Sequence, residues 1–254
     1  DRSLDTLDPA ARAAVLAQLS AWLEAAKRRH LAALTRLSAL RETLSPPARG
    51  LAVQLTETLG ALPRASVEDL ISALSRADRK ALANAGVRLG VTHVFAAQAL
   101  KPEATRWRLA LWGVANGLAA MPPPPRPGRT SIPVDPAAPP GFYAVAGFWS
   151  LGAFAVRVDM ADRAARAIHA QRLAERAGER PIRPDPALIS SLGLGPADFA
   201  RLMQALGFRG EAARGFAFAP GRRRARRREG APASDAALPF AGLDTLLARR
   251  NDSR

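Results

Sequence analysis

The sequence predicts a mainly α chain with small β hairpins, an α+β class in which a helical domain is followed by a winged-helix-like unit. Three observations predict it. Helix-start signals recur at Asp8-Pro9, Ser45-Pro46-Pro47, Lys101-Pro102-Glu103 and Pro196-Ala197-Asp198, each followed by apolar residues at three- and four-residue steps. Short β-branched or aromatic runs lie beside Gly86, Gly90, Gly152 and Gly207, as hairpins require. Between these parts, Met121-Pro122-Pro123-Pro124-Pro125-Arg126-Pro127-Gly128 admits neither helix nor central strand, because consecutive prolines lack amide donors and favour extended geometry. The expected organisation is a helical domain at 1–120, a Pro-rich linker at 121–140 and a winged-helix-like unit at 141–219. An Arg-rich tail at 220–238, expected to be disordered, and a docking helix at 239–254 complete it.

In order along the chain, Asp8 caps a helix that Pro9 opens. Val15, Leu16, Leu19, Trp22, Leu23, Ala26, Leu31, Leu34, Leu37, Leu40 and Leu44 then hold helical periodicity over more than thirty residues. Lys27-Arg28-Arg29-His30 interrupts that run and reads as a solvated face or as a phosphate contact. Ser45 caps the next helix, with Leu51, Leu55 and Leu59 on one face and Gly60 as its stop. Ser66 and Asp69 read as a cap pair for a short helix ending near Leu74.

Residues 75–117 read as the packing centre. Ser75 and Asp78 have capping-box spacing, and Gly86 ends that helix because glycine tolerates the left-handed conformation. Val87, Leu89, Val91, Val94 and Phe95 form a β segment around Gly90. The helix after Pro102 then carries Trp107, Leu111 and Val114, with Leu109 and Trp112 widening the stripe. Beyond the prolines, Ser131-Ile132-Pro133-Val134 is extended and a short helix fills 141–147. Phe148-Trp149-Ser150 and Phe154 to Val158 flank Leu151-Gly152 as a hairpin. Phe142, Tyr143 and Trp149 form a small core there or a base-stacking surface. Asp159 caps a helix reaching about Ala177, with Ala161, Ala164, Ala165 and Ile168 inward.

A short helix over 186–191 follows, then a helix from Pro196 to Leu206 with Phe199, Leu202, Met203 and Leu206 on its apolar face. Two strands come last, Gly207-Phe208-Arg209 and Phe216-Ala217-Phe218. Helix, helix, turn, helix, strand, strand is the order of a winged helix, in which the third helix and the wing face nucleic acid. The alternative is a plain helical subdomain. The candidate nucleic-acid-binding residues are Arg201, Gln204, Arg209 and Arg214, together with Arg222, Arg223, Arg224, Arg226, Arg227 and Arg228. The last six would neutralise phosphates without reading sequence, or form a solvated tail.

Composition favours the same partner. The 254 residues carry a formal net charge of +15, which suits a polyanion, nucleic acid before anionic membrane. Lysine occurs only at 27, 80 and 101, and such arginine enrichment is also what GC-rich coding yields. There is no cysteine, which fits a reducing cytoplasm, and no run of 18 apolar residues. The acidic start lacks the basic and apolar regions of a signal peptide. It also lacks an initiator Met, so a fragment or processed form is expected.

RKALANAGVRLGVTHVFAAQALKPEATRWRLALW resembles the region that follows the helicase core in alphaproteobacterial relatives of the mitochondrial degradosome RNA helicase, the Suv-three-like DExH helicases. GRTSIPVDPAAPPGFYAVAGFWSLGAFAVRVDM and PFAGLDTLLARR resemble later parts of that region, and the likeness covers roughly residues 60–250. The resemblance implies an accessory portion of an ATP-dependent RNA helicase. The motor domains, with their ATP and Mg, would then lie outside this chain. No G-x-x-x-x-G-K-[ST] loop or Asp-Glu box occurs in the sequence, and no Gly-x-Ser-x-Gly elbow. His30, His93 and His169 lack second ligands at helical spacing, so neither a metal nor another cofactor is expected in this chain, and no active site. The expected partners are RNA or DNA, single-stranded, and the parent's motor domains. The rival readings are a stand-alone winged-helix DNA-binding regulator and a protein-interaction scaffold.

Overall fold

The computed structural model describes residues 6–174, 181–211 and 214–219. Helix α1 (Pro9–His30) begins where the Asp8 carboxylate accepts a hydrogen bond from the Ala11 amide at 2.9 Å. The expected run of more than thirty residues is two helices. Leu31 leaves helical geometry at φ −116°, and α2 (Ala32–Leu40) restarts from it. The break lets Leu31, Ala33, Leu34 and Leu37 turn into the core, whereas α1 buries only Ala26 and leaves Trp22 60% exposed. Lys27, Arg28, Arg29 and His30 form the last turn of α1, where cations meet the negative end of the helix dipole.

Helix α3 (Pro46–Glu57) places Leu51 and Leu55 wholly inside, each burial worth about 2 kcal/mol. Ser45 occupies the N-cap position, but its hydroxyl makes no capping bond. The chain leaves α3 through Leu59 at φ +57° and Gly60 at φ +103°. Arg108, fully buried, donates from Nη1 to the Leu59 carbonyl at 2.9 Å and from Nη2 to Thr105 Oγ1 at 3.0 Å, so its guanidinium holds the left-handed corner in place. Desolvation pulls its pKa down to about 9.

The expected Ser66–Asp69 cap pair does not form. Ser66 donates instead to the Pro63 carbonyl at 2.7 Å within a 3-10 turn, and α4 (Glu68–Ser72) starts with no side-chain cap. Ahead of α5 (Arg76–Asn84) the capping box is complete: Ser75 Oγ accepts from the Asp78 amide at 3.1 Å, and the Asp78 carboxylate accepts from the Ser75 amide at 2.9 Å. Ser75→Ala is expected to lose about 1 kcal/mol of stability, measured as a lower urea midpoint with unchanged slope.

Strands β1 (Ala61–Pro63), β2 (Val87–Leu89) and β3 (His93–Ala96) form an antiparallel sheet with β3 central and buried along its whole length. Helix α6 (Pro102–Ala115) lies between two cores. Ala104 and Leu111 face the core of α2 to α5, while Leu109 and Trp112 face the next one. Val114, expected on the buried stripe, is 69% exposed, because the inward arc runs through 104, 105, 108, 109, 111 and 112. Trp107 is half-buried, with the His30 ring stacked on it at 4.9 Å.

The proline stretch does not separate independent cores. Met121 covers Gly113, and β4 (Ser131–Pro133), inside the expected linker, is an edge strand of a second antiparallel sheet, β4-β6-β5. Its other strands are β5 (Phe148–Ser150) and β6 (Phe154–Arg157), joined by the expected turn. Helix α7 (Phe142–Ala146) is bounded by Gly141 and Gly147, both left-handed. Leu59, Leu109 and Trp112 pack with Phe142, Val145, Phe148 and Ala155 in one cluster. The physical reason is that one sheet and α6 must bury their facing sides together.

Helix α8 (Val158–Ala174) turns Ala161, Ala164, Ala165 and Ile168 inward, all fully buried. Its expected end near Ala177 lies outside the described residues. α9 (Pro186–Leu192) is capped by Asp185, whose carboxylate accepts from the Ala187 amide at 2.8 Å. α10 (Pro196–Ala205), β7 (Phe208–Glu211) and β8 (Gly215–Phe218) follow. Among the described residues the chain is thus mainly helical with antiparallel sheets of two or three strands, as its sequence predicts. No described helix is long and apolar enough to cross a membrane.

One buried carboxylate joins the two parts. Asp162 of α8 accepts a short hydrogen bond at Oδ1 from the Val91 amide in the β2–β3 turn, and at Oδ2 from Arg166 Nε at 2.7 Å. Arg166 Nη2 adds a short contact to the same oxygen. Arg64 braces the turn from its other side, donating to the Gly90 carbonyl at 3.0 Å while holding Glu68.

Candidate nucleic-acid interface

Ile182 pairs in antiparallel fashion with Phe216 of β8, exchanging both backbone bonds at 2.8 Å. The order from α8 is therefore helix, short bridge, helix, helix, strand, strand, with the bridge beside the last strand. That is the connectivity of a winged helix, with α10 as its third helix and the β7–β8 hairpin as its wing. Phe199, Leu202 and Met203 of α10 are fully buried against Phe208 and Phe216 of the wing, with the Phe199 and Phe216 rings edge to face at 5.8 Å. Arg172 of α8 lies over the Phe218 ring at 4.1 Å, which fixes the far end of the hairpin.

Burying that stripe leaves the opposite face of α10 in solvent. Arg201 and Gln204, three residues apart, are both exposed on it. Arg201 approaches Asp198 at 3.6 Å, an exposed pair worth about 0.5 kcal/mol. Alternation along β7 puts Phe208 inside and Arg209 outside, opposite Ala217. Gln204 and Arg209 border one open groove of about 410 Å³ with Gly207, Phe208 and Ala219. Arg214 stands exposed in the hairpin loop beside Gly215, whose φ of +87° only glycine adopts freely. The structure thus brings Arg201, Gln204 and Arg209 onto adjoining surface, with Arg214 at the wing's turn. Arg222, Arg223, Arg224, Arg226, Arg227 and Arg228 lie outside the described residues, as does the expected docking segment 239–254.

The aromatic cluster expected either to stack bases or to form a small core is mostly interior. Phe142 is buried, the Tyr143 hydroxyl accepts from the Asp135 amide at 2.7 Å, and Trp149 is half-buried with its ring edge-on to His93 at 5.2 Å. Each histidine is packed against aromatic rings: His30 against Trp107, His93 against Trp149, and His169 against Phe208 and Phe218. Burial pushes the His93 pKa down to about 4, the nearby Asp162 charge offsetting only part of that, and it lowers that of His169 as well. Among the described residues no group of three or more His, Asp or Glu side chains converges as a metal site would require.

Sequence reasoning did not single out Asp162, Arg163 or Arg166. Their signal was present as spacing: 159, 162, 163 and 166 fall on one face of a helix. Comparison of the chain with protein-family models, with curated proteins and with solved structures gives no match.

Proposed function

We propose that this chain is a nucleic-acid-binding accessory region, directed to single-stranded RNA, of a cytoplasmic ATP-dependent helicase of the Suv-three-like kind. Its ATP and Mg would belong to motor domains outside these 254 residues. The observation that carries the binding reading is the exposed Arg201, Gln204 and Arg209 on the third helix and wing of a winged-helix arrangement. The helicase parentage rests on the sequence resemblance alone. In this reading the chain holds the strand through its phosphates while the motor moves it.

The test is a titration of fluorescein-labelled single-stranded RNA at two salt concentrations. Wild type should bind with strong salt dependence. Arg201→Ala combined with Arg209→Ala should flatten the slope of log K against log salt by about 1.4, since each phosphate no longer neutralised on a single strand removes about 0.7. Replacing the six arginines at 222, 223, 224, 226, 227 and 228 with Ala should weaken binding to every sequence alike and leave thermal unfolding unchanged. Unchanged affinity in both variants would leave a protein scaffold as the reading. A preference for duplex DNA over single-stranded RNA would favour the regulator.

A further inference from the structure

A charged cleft of about 300 Å³ lies outside the winged-helix surface, where β2 and β3 meet α8. Arg88, Phe95, Ala97, Asp159, Asp162, Arg163 and Arg166 line it. Three arginines and two aspartates look nearly balanced, but the aspartates are already committed. Asp159 accepts from Arg157 Nε at 2.7 Å, from Arg157 Nη2 at 3.0 Å and from the Met160 amide at 2.8 Å. Asp162 is buried and spends both oxygens on the Val91 amide and Arg166. Among the described residues, no carboxylate lies within ion-pair distance of Arg88 or Arg163, and both are exposed. Two positive charges therefore stand uncompensated over the cleft.

The cleft is also held rigid. Arg88 sits on β2 opposite Phe95 of β3, so the sheet register fixes its backbone. Arg163 and Arg166 sit on α8, whose Asp162 is tied to the β2–β3 turn. Arg166 is oriented on Asp162 through Nε and Nη2, while its side chain remains 57% exposed. Beyond Arg163 the surface continues as a second depression, of about 420 Å³, between α8 and α9, past the small residues Ala167, Ala187 and Ser191 and the Asp185 carboxylate, which caps α9. Small side chains let a backbone come close, and a guanidinium fork suits phosphate oxygens.

We infer that this cleft is a second phosphate-binding site for the same single-stranded RNA, with Arg88 and Arg163 contacting its backbone and Arg166 supporting them. The inference rests on the RNA-binding reading proposed above. It shares no lining residue with the α10 and wing surface, so it lengthens the tract of strand that one chain engages. Contacts of this kind position the strand and read no sequence.

The test uses the full chain with fluorescein-labelled oligouridylate. Arg88→Ala with Arg163→Ala should weaken binding about tenfold at low salt and flatten the salt slope by about 1.4. Both side chains are exposed, so the thermal midpoint should hold, and Arg88→Lys with Arg163→Lys should restore the slope, since lysine keeps the charge. Adding this pair to Arg201→Ala and Arg209→Ala should flatten the slope further, as independent sites do. Wild-type affinity and slope in the Arg88 and Arg163 double variant, with Arg201 and Arg209 still required, would overturn the second site and leave the RNA-binding reading standing. No RNA binding by wild type would overturn both.

Discussion

Gly90→Ala is expected to cost about 3 kcal/mol, read as a large fall in the urea midpoint. A β-carbon at Gly90 would lie far inside van der Waals contact with Asp162 Oδ1 and with the His93 carbonyl oxygen. Neither obstacle yields cheaply. The His93 carbonyl accepts the Gly90 amide at 2.9 Å and closes the turn, and Asp162 accepts the next amide, that of Val91. The turn carbonyl is held as well, by Arg64 at 3.0 Å. Admitting a methyl group would force apart the Asp162 carboxylate contact that ties α8 to the first sheet. Gly50→Ala is the control. It lies within α3, its added β-carbon would meet only Leu70 at 3.5 Å, and gain of helix propensity should stabilise by about 0.5–1 kcal/mol. If Gly90→Ala unfolds within error of wild type, Asp162 does not pin this turn. If the proposed cleft site holds, a folded but loosened Gly90→Ala chain should also lose RNA affinity there, because the Asp162–Val91 contact ties α8, which carries Arg163, to the turn that follows β2, which carries Arg88.

Features written in adjacent residues were legible in the sequence. The Ser75–Asp78 box, the Asp8-Pro9 start, the glycines bounding α7 and the winged-helix order all depend on a few neighbours. Arg201, Gln204 and Arg209 were legible because an amphipathic helix and a strand each declare their outward positions by period. What escaped depends on distant partners. Ser66 and Asp69 have capping spacing, yet the Pro63 carbonyl competes for the hydroxyl. Leu31 continues the apolar period of α1, and only the depth of the core decides that the helix must break there. Arg108 carries no local sign of burial. It is wholly buried because the Leu59 carbonyl, 49 residues earlier, arrives within its reach. Asp162 bonds an amide 71 residues away, and no local pattern records that. The prolines at 122–125 marked the absence of regular structure correctly, but they could not show that the segments on either side close over one core.

The same joint predicts how stability follows pH. His93 is buried beside Trp149, with its Nδ1 3.1 Å from the Thr92 hydroxyl. Desolvation holds its pKa at about 4 in the folded chain, against the ordinary value of 6.5. Asp162 favours the charged ring but does not compensate for the missing hydration. Below pH 6.5 the unfolded chain takes up a proton on this ring that the folded chain refuses, so the unfolded state gains. The contribution is fully present above pH 6.5 and is lost as pH falls toward 4, to a total of about 3 kcal/mol. The lowered pKa of His169 acts in the same direction, so wild type alone cannot isolate His93. His93→Leu can, since it keeps an apolar group against Trp149 and removes the titration. Urea unfolding across pH 7 to 4 should show a steep loss of stability in wild type and a shallower one in His93→Leu, the two curves converging or crossing on the acid side. Asp78 does not confuse the window: bonds from Ser75 hold its carboxyl below the usual carboxylate range, so its contribution disappears only in stronger acid. Parallel pH profiles for wild type and His93→Leu would mean that His93 titrates alike in both states. The ring would then be solvated, and the packing of the β2–β3 turn against Trp149 and α8 would be wrong.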